Sequence, residues 1–237
     1  KHRTKFISLR YGNVLSSSNS VVPKFITLAK SKKKLIITEQ EMTRFSITMD
    51  EALDFILTAS ELGQGSEIFI PKLKSYKLET LKDSLFDVFK KSINIKKISV
   101  RPGEKFHESL ISEEELRNTY EINDYYIIVD KQMNKNTFSK WDCLEETKRT
   151  EQYSSDKVEL LTKDELIEIL INEKLTSAKW SEHLGKAESF LVNSATWGLA
   201  FSKEFLRKIN GGKWIMLMWW GQNLASPTTM QMQCALV

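Results

Sequence analysis

Cysteine is nearly missing from this 237-residue chain: Cys143 and Cys234 lie far apart and in no metal-ligand spacing, and no secretory signal precedes them. That argues against a metal site built on thiolates and makes a reducing cytoplasm the expected setting. Long apolar runs are missing too. None approaches the roughly 20 residues needed to cross a bilayer, since Trp214 to Trp220 gives way to Gly221-Gln-Asn. The chain therefore reads as soluble, with no membrane partner. An excess of one charge is also lacking: 35 basic and 31 acidic residues nearly cancel to +4. Without a basic block or aromatic-basic interleaving, nucleic acid is not an expected partner. None of the nine glycines forms Gly-x-Gly-x-x-Gly, and no segment repeats. An initiator Met is absent as well; Lys1 leads at once into the strand-like Lys5-Phe-Ile-Ser-Leu-Arg10, so a segment upstream is expected.

What is present is an ordinary globular composition, 41% hydrophobic and 28% charged, long enough for one large or two small domains with a sizeable core. After the first strand, Tyr11-Gly-Asn-Val-Leu15 runs into a serine-rich loop, and Val21-Val-Pro23 enters a helix to about Lys30. Such a loop brings the free amides of a helix N-terminus to a strand end, where phosphate binds well; a plain polar loop is the alternative. Leu35 to Thr38 reads as a strand. Thr48-Met-Asp-Glu51 is a capping box for a helix to about Leu62, with Leu53, Ile56 and Leu57 at core spacing. Glu67 to Ile70 and Ile95 to Val100 read as strands around an amphipathic helix, Leu78 to Lys91, with Leu81, Leu85, Val88 and Phe89 inward. The β-α-β-α-β order predicts an α/β fold with parallel strands. Two more capping boxes, Ser112 to Glu115 and Thr162 to Glu165, flank a strand at Tyr125 to Val129, and the second opens a helix with Leu166, Ile169 and Leu170 on one face. Residues 131 to 152, polar and without a period, read as a surface excursion.

The densest chemistry lies in Arg101-Pro-Gly-Glu-Lys-Phe-His-Glu108. Arg101 offers a planar fork to phosphate oxygens, and Pro102-Gly103 fits the centre of a type II turn, where glycine tolerates positive φ. The turn aims Glu104 and Lys105 toward the same ligand. A surface turn with merely solvated charges is the competing reading. His107 and Glu108 are expected to order the turn and receive no catalytic role.

Three blocks occur in order: Arg10-Tyr-Gly-Asn-Val14 with Ser20-Val-Val-Pro23, Glu41-Met-Thr-Arg-Phe45, and the Arg101 to Glu108 stretch. With Glu67-Ile-Phe-Ile-Pro71 and Tyr153-Ser-Ser-Asp156, the set resembles the C-terminal half of the inverting UDP-N-acetylglucosamine 4,6-dehydratases. These are extended short-chain dehydrogenases/reductases of the polysaccharide biosynthesis protein family, and the resemblance covers residues 1–174. It implies the C-terminal part of an NAD(P)-binding Rossmann-like α/β fold with its substrate-binding lobe. It also implies a UDP-sugar substrate, NADP as cofactor and a homo-oligomer for the full-length protein. Carried over, Asn13, Ser20 and Val22 belong to the substrate site, and Val14 borders the nicotinamide. Arg44 and Arg101 clasp the UDP, and Glu104 accepts from ribose hydroxyls. For Arg44 the alternative is an ion pair at a strand end. The family's Ser-Arg-Gly-Ser before Val-x-Pro is replaced here by Ser17-Ser-Asn-Ser20, which leaves the exact substrate open.

The resemblance further implies a Tyr-x-x-x-Lys pair, in which the lysine lowers the tyrosine's pKa so that it serves as base. Relatives carry that pair upstream of Arg-Tyr-Gly-Asn. Tyr153-Ser-Ser-Asp-Lys157 has the spacing but follows the substrate motifs, and its Ser-Ser-Asp favours a turn over a helix interior. It is rejected, and this chain alone is expected neither to retain NADP tightly nor to turn over substrate. A nucleotide-sugar epimerase or reductase, or a non-catalytic nucleotide-sugar-binding module, are the alternatives. Composition shifts near Thr176: five of six tryptophans follow it, and no charge follows Lys213. Residues 175–237 therefore form an atypical tail. Within it, Lys179 to Gly185 and Phe190 to Leu199 are similar to the opening of PLP-dependent sugar aminotransferases; a buried amphipathic segment or non-native sequence are the other readings.

Overall fold

Alternation of apolar and polar side chains makes Lys5–Tyr11 (β1) a half-buried strand: Ile7, Leu9 and Tyr11 are within 1% of full burial, while Phe6, Ser8 and Arg10 face the other way. The computed structural model describes residues 5–15, 22, 25, 28, 34–39, 41–90, 95–100, 102–129, 141, 144–172, 215–219 and 230–236, the last two for backbone only. Short β2 (Asn13–Val14) follows at once, and Val22, Phe25 and Leu28 are helical. The chain continues through β3 (Leu35–Ile37), β4 (Thr43–Ile47), α1 (Met49–Leu62), β5 (Ile68–Pro71), β6 (Ser75–Lys77), α2 (Leu78–Phe89) and β7 (Ile95–Lys97). Next come β8 (Ser109–Ile111), α3 (Glu113–Leu116), β9 (Thr119–Ile122), β10 (Tyr125–Ile128), β11 (Glu145–Glu146), β12 (Tyr153–Ser154), a helix over 163–172, β13 (Ile215–Trp219) and β14 (Met230–Leu236).

The main sheet has the order β11-β9-β10-β5-β1-β14-β13. Its β1 and β5 run parallel, as alternating strand and helix demand, and its other pairings are antiparallel. A second sheet, β2-β4-β6, again has one parallel pair, and β3 with β7 forms a parallel ribbon of its own. The architecture is α/β, with mixed sheets where the sequence suggested parallel strands alone. The segment read as a strand at Ile95 to Val100 is shorter than expected, and its three strand residues are exposed in that ribbon, outside the main sheet.

α1 forms where the capping box places it: Thr48 Oγ1 accepts from the Glu51 amide, and the Glu51 carboxylate accepts from the Thr48 N–H. Its buried face, Ala52, Leu53, Phe55, Ile56 and Ala59, covers β1, and all of these but Leu53 share a core with Ile7, Leu9, Tyr11, Phe69 and Ile127. Each fully buried Leu, Ile or Phe there contributes roughly 1.5–3 kcal/mol. The helix stops at Gly63, where a side chain would meet Ile7 Cγ2 at 2.8 Å. α2 turns Leu81 and Leu85 into a second core with Phe25, Leu166 and Leu170, while Val88 and Phe89 pack at its margin. It ends one residue before Lys90, which takes the left-handed conformation at φ 48°.

Within 131–152, read as a surface excursion, Trp141 departs from expectation. Trp141 is 5% exposed, packs in the core under α1 and donates from Nε1 to the Leu62 carbonyl, closing that helix's C-terminus. Glu145 and Glu146 extend the main sheet beside β9. In the tail, β13 and β14 pair with each other and β14 pairs along all of β1; the segments 179–185 and 190–199 lie outside the described residues.

Candidate functional site

Three stretches far apart in sequence converge at one carboxylate. Glu108, at the end of the 102–108 turn, is 1% exposed. Asn13 Nδ2 donates to its Oε1 at 3.1 Å from the start of β2, and the Phe45 N–H of β4 donates to its Oε2 at 3.0 Å. Arg44 Nε stands 3.6 Å from Oε1, an ion pair longer than a hydrogen bond. Burial pushes the Glu108 carboxyl up to about 7, against the pull of Arg44, the Phe45 amide, Asn13 and Lys105. Glu108 adds to the effect of burial in raising the enclosed Tyr76 phenol.

The backbone of Glu108 is pinned as well. Its N–H donates to Ser155 Oγ at 2.9 Å and its carbonyl accepts from the Ser155 N–H at 2.8 Å. Ser155 Oγ and Thr43 Oγ1 are 2.7 Å apart, and Thr43 Oγ1 lies 2.7 Å from His107 Nδ1. Thr43 and Ser155 are both buried, so these hydroxyls serve as internal connectors.

Arg44 occupies the ion-paired arrangement that was its alternative reading. Its side chain is 6% exposed, and Nη1 donates to the Thr43 and Phe106 carbonyls at 2.7 and 3.1 Å. It thus grips the turn from within. Gly103 has φ 81°, the value a type II turn requires after Pro102, and Glu104 Oε1 accepts from Thr38 Oγ1 at 3.0 Å. Val14 is 6% exposed and lies in the main core, and Val22 packs in the second core. Arg101, Ser20 and the loop over 16–19 lie outside the described residues.

Glycine at position 12 has a packing cause. A Cβ there would meet Phe45 Cβ at 2.4 Å and the Phe45 carbonyl carbon and oxygen at 2.9 Å. This glycine lets β1 and β2 close on β4 rather than cradle a phosphate. Tyr153 and Lys157 are no Tyr-x-x-x-Lys pair either. Tyr153 lies on β12 with its hydroxyl accepting from the Leu73 N–H at 2.5 Å; burial pushes its phenol up, the wrong direction for a base, and Lys157 pairs with Glu151 at 2.5 Å. Among the described residues there is neither a glycine-rich phosphate loop nor a lysine-activated tyrosine. Among them no group of three His, Cys, Asp or Glu could hold a metal, and no helix is long and apolar enough to cross a membrane.

The sequence signals missed the partners of Glu108. A His-Glu pair after a turn says nothing of Asn13, 95 residues earlier, or of Phe45, 63 residues earlier.

Residues 1–130 match the polysaccharide biosynthesis protein family. Residues 161–231 match the DNA-binding domain of proline dehydrogenase. The UDP-glucose 4-epimerase of Rickettsia bellii is 36% identical over 73% of this chain and 51% of its own length. The inverting UDP-N-acetylglucosamine 4,6-dehydratase of Campylobacter jejuni serotype O:2 is 38% identical over 71% and 52%. Among solved structures, Pen from Bacillus thuringiensis is similar with a TM-score of 0.62 and 30% identity, over 72% of this chain and 50% of that one. The chain spans about half the length of the curated relatives it matches.

Proposed function

Because the chain belongs to the polysaccharide biosynthesis protein family, we propose that it is the substrate-holding part of a nucleotide-sugar-converting enzyme, a UDP-N-acetylglucosamine 4,6-dehydratase of the inverting kind. The observation that carries this reading is the convergence of Asn13, Arg44 and the Pro102–Gly103 turn on buried Glu108. A polar cluster that spends a buried carboxylate to align a turn, an amide and a cation suits a diphosphate's charge and a sugar's hydroxyls. In this reading Arg101 supplies a cation to the diphosphate and Glu104 the acceptor for ribose. Arg44, enclosed as it is, contributes its charge and its hold on the Phe106 carbonyl. No catalytic step is assigned to the described residues, and none is assigned to NADP, the cofactor the resemblance implies for the whole enzyme. Water loss from the sugar would be carried out by groups beyond those described.

A second reading, epimerisation, is favoured by the likeness to a protein named UDP-glucose 4-epimerase over 73% of the chain. Calorimetric titration of the 237-residue chain tests both. Saturable binding of UDP is expected, weakened about tenfold or more by Arg101→Ala, the loss of one charge-assisted contact. Tighter binding of UDP-N-acetylglucosamine than of UDP-glucose favours the dehydratase, and the reverse order favours the epimerase. If UDP does not bind, or binds the Arg101→Ala chain equally well, the substrate-holding assignment is wrong.

A further inference from the structure

Resting on that reading of the site, we infer that Glu108 is its positioning residue: by taking the Nδ2 edge of Asn13, it turns the amide's oxygen edge toward the ligand side. Above its midpoint the Glu108 carboxylate can only accept hydrogen bonds, so the group of Asn13 that faces it at 3.1 Å is the NH2. The amide is planar, and Oδ1 therefore projects away from Glu108. Asn13 is then fixed as an acceptor for a hydroxyl or acetamido N–H of a nucleotide sugar. A freely turning asparagine would offer either edge and lose part of its selectivity.

The carboxylate itself has no freedom to follow. Its second oxygen is held by the Phe45 N–H, and its main chain is clamped at both N–H and C=O by Ser155. Gly12 brings Asn13 within reach, because any side chain there would push β2 off Phe45. Among the described residues, the charged or titratable groups around Glu108 are Arg44 on β4, Tyr76 on β6, Lys105 in the turn and its neighbour His107, whose ring reaches Ser155 through Thr43. Glu108 touches no ligand in this arrangement; it acts through Asn13.

A double-mutant cycle read by UDP-N-acetylglucosamine affinity of the 237-residue chain, at a pH about one unit above the Glu108 midpoint, tests the inference. Glu108→Gln presents an NH2 in place of an oxygen and lets Asn13 turn over, so about a tenfold loss of affinity is expected. Asn13→Ala should cost a similar factor, and adding Glu108→Gln to it should cost almost nothing more. Equal losses from Glu108→Gln in both backgrounds would overturn the inference. An independent readout needs neither ligand nor a folded variant: the side-chain amide signals of Asn13 in the wild-type NMR spectrum should move with a midpoint set by Glu108. Signals that stay still from acid to alkaline pH overturn the positioning while leaving the nucleotide-sugar reading intact. Absence of UDP-N-acetylglucosamine binding in the wild type instead removes that reading, and the ligand half of this inference with it.

Discussion

Glu108→Gln should flatten the pH dependence of stability across the interval in which the native carboxyl is protonated and the unfolded one is not. Burial raises this group from 4.5 to about 7 in the folded chain. Between those values the native state holds more protons than the unfolded state, so stability is greatest below 4.5 and declines as the pH rises through about 7. At about 1.4 kcal/mol for each pH unit of the interval, the full decline attributable to Glu108 is roughly 3 kcal/mol. Carboxylates held below their usual range act in the opposite sense and elsewhere. Glu115, bonded to Arg10, and Glu121, bonded to Lys72, are pushed up by burial but pulled further down by those cations, and their stabilisation is lost only as pH falls below the unfolded carboxylate range.

The measurement is urea unfolding of both chains at several pH values from about 4 to about 8, compared through the difference in their slopes. Absolute stabilities do not decide, because the neutral amide of the Glu108→Gln chain leaves the enclosed Arg44 without its counter-charge and adds a cost of its own. That cost is the same at every pH in the range, since arginine stays protonated. A wild type that loses roughly 3 kcal/mol more than Glu108→Gln across the interval supports the buried geometry. Two parallel profiles would refute it, and with it the convergence of Asn13, Phe45 and Arg44 on this carboxylate.

Gly12→Ala should destabilise the chain by about 1–3 kcal/mol or more in urea unfolding, because its Cβ would have to displace Phe45 backbone and not a flexible side chain. Tyr153→Phe should cost about 1–3 kcal/mol by leaving the Leu73 N–H without its acceptor, while UDP titration stays unchanged, as befits a tyrosine that holds two segments together. Thr48→Ala should cost about 1 kcal/mol and lower the hydrogen-exchange protection of the first turn of α1, through loss of both halves of its capping box.

Local chemistry made the helices legible and left the site half-read. The capping boxes at Thr48, Ser112 and Thr162 each satisfy amides within three residues, so their sequence signature is the structure itself. Spacing alone places Leu53, Ile56, Leu81 and Leu85 inward, whereas Leu57 is only half-buried and Phe55 takes an inward place on α1. Trp141 could not be placed that way, since its partner is a helix-end carbonyl 79 residues earlier and the polar residues around it hide its burial. The mixed sheet was hidden for a related reason: strands as short as Ser75–Lys77 or Glu145–Glu146 carry too few residues to show a period.

In the 102–108 turn, sequence chemistry made the turn and the ordering role of Glu108 legible and left that carboxylate's partners hidden. The turn at Gly103 could be read because positive φ at that position is a property of two adjacent residues. The partners of Glu108 could not, because what makes a carboxylate a connector is the loss of water around it and the arrival of donors from Asn13 and Phe45. Arg44, read as a ligand's clasp, is turned inward onto Thr43, Phe106 and Glu108. A charge motif thus names the residues that a site needs, and only packing decides which of them meet the ligand and which hold the others in place.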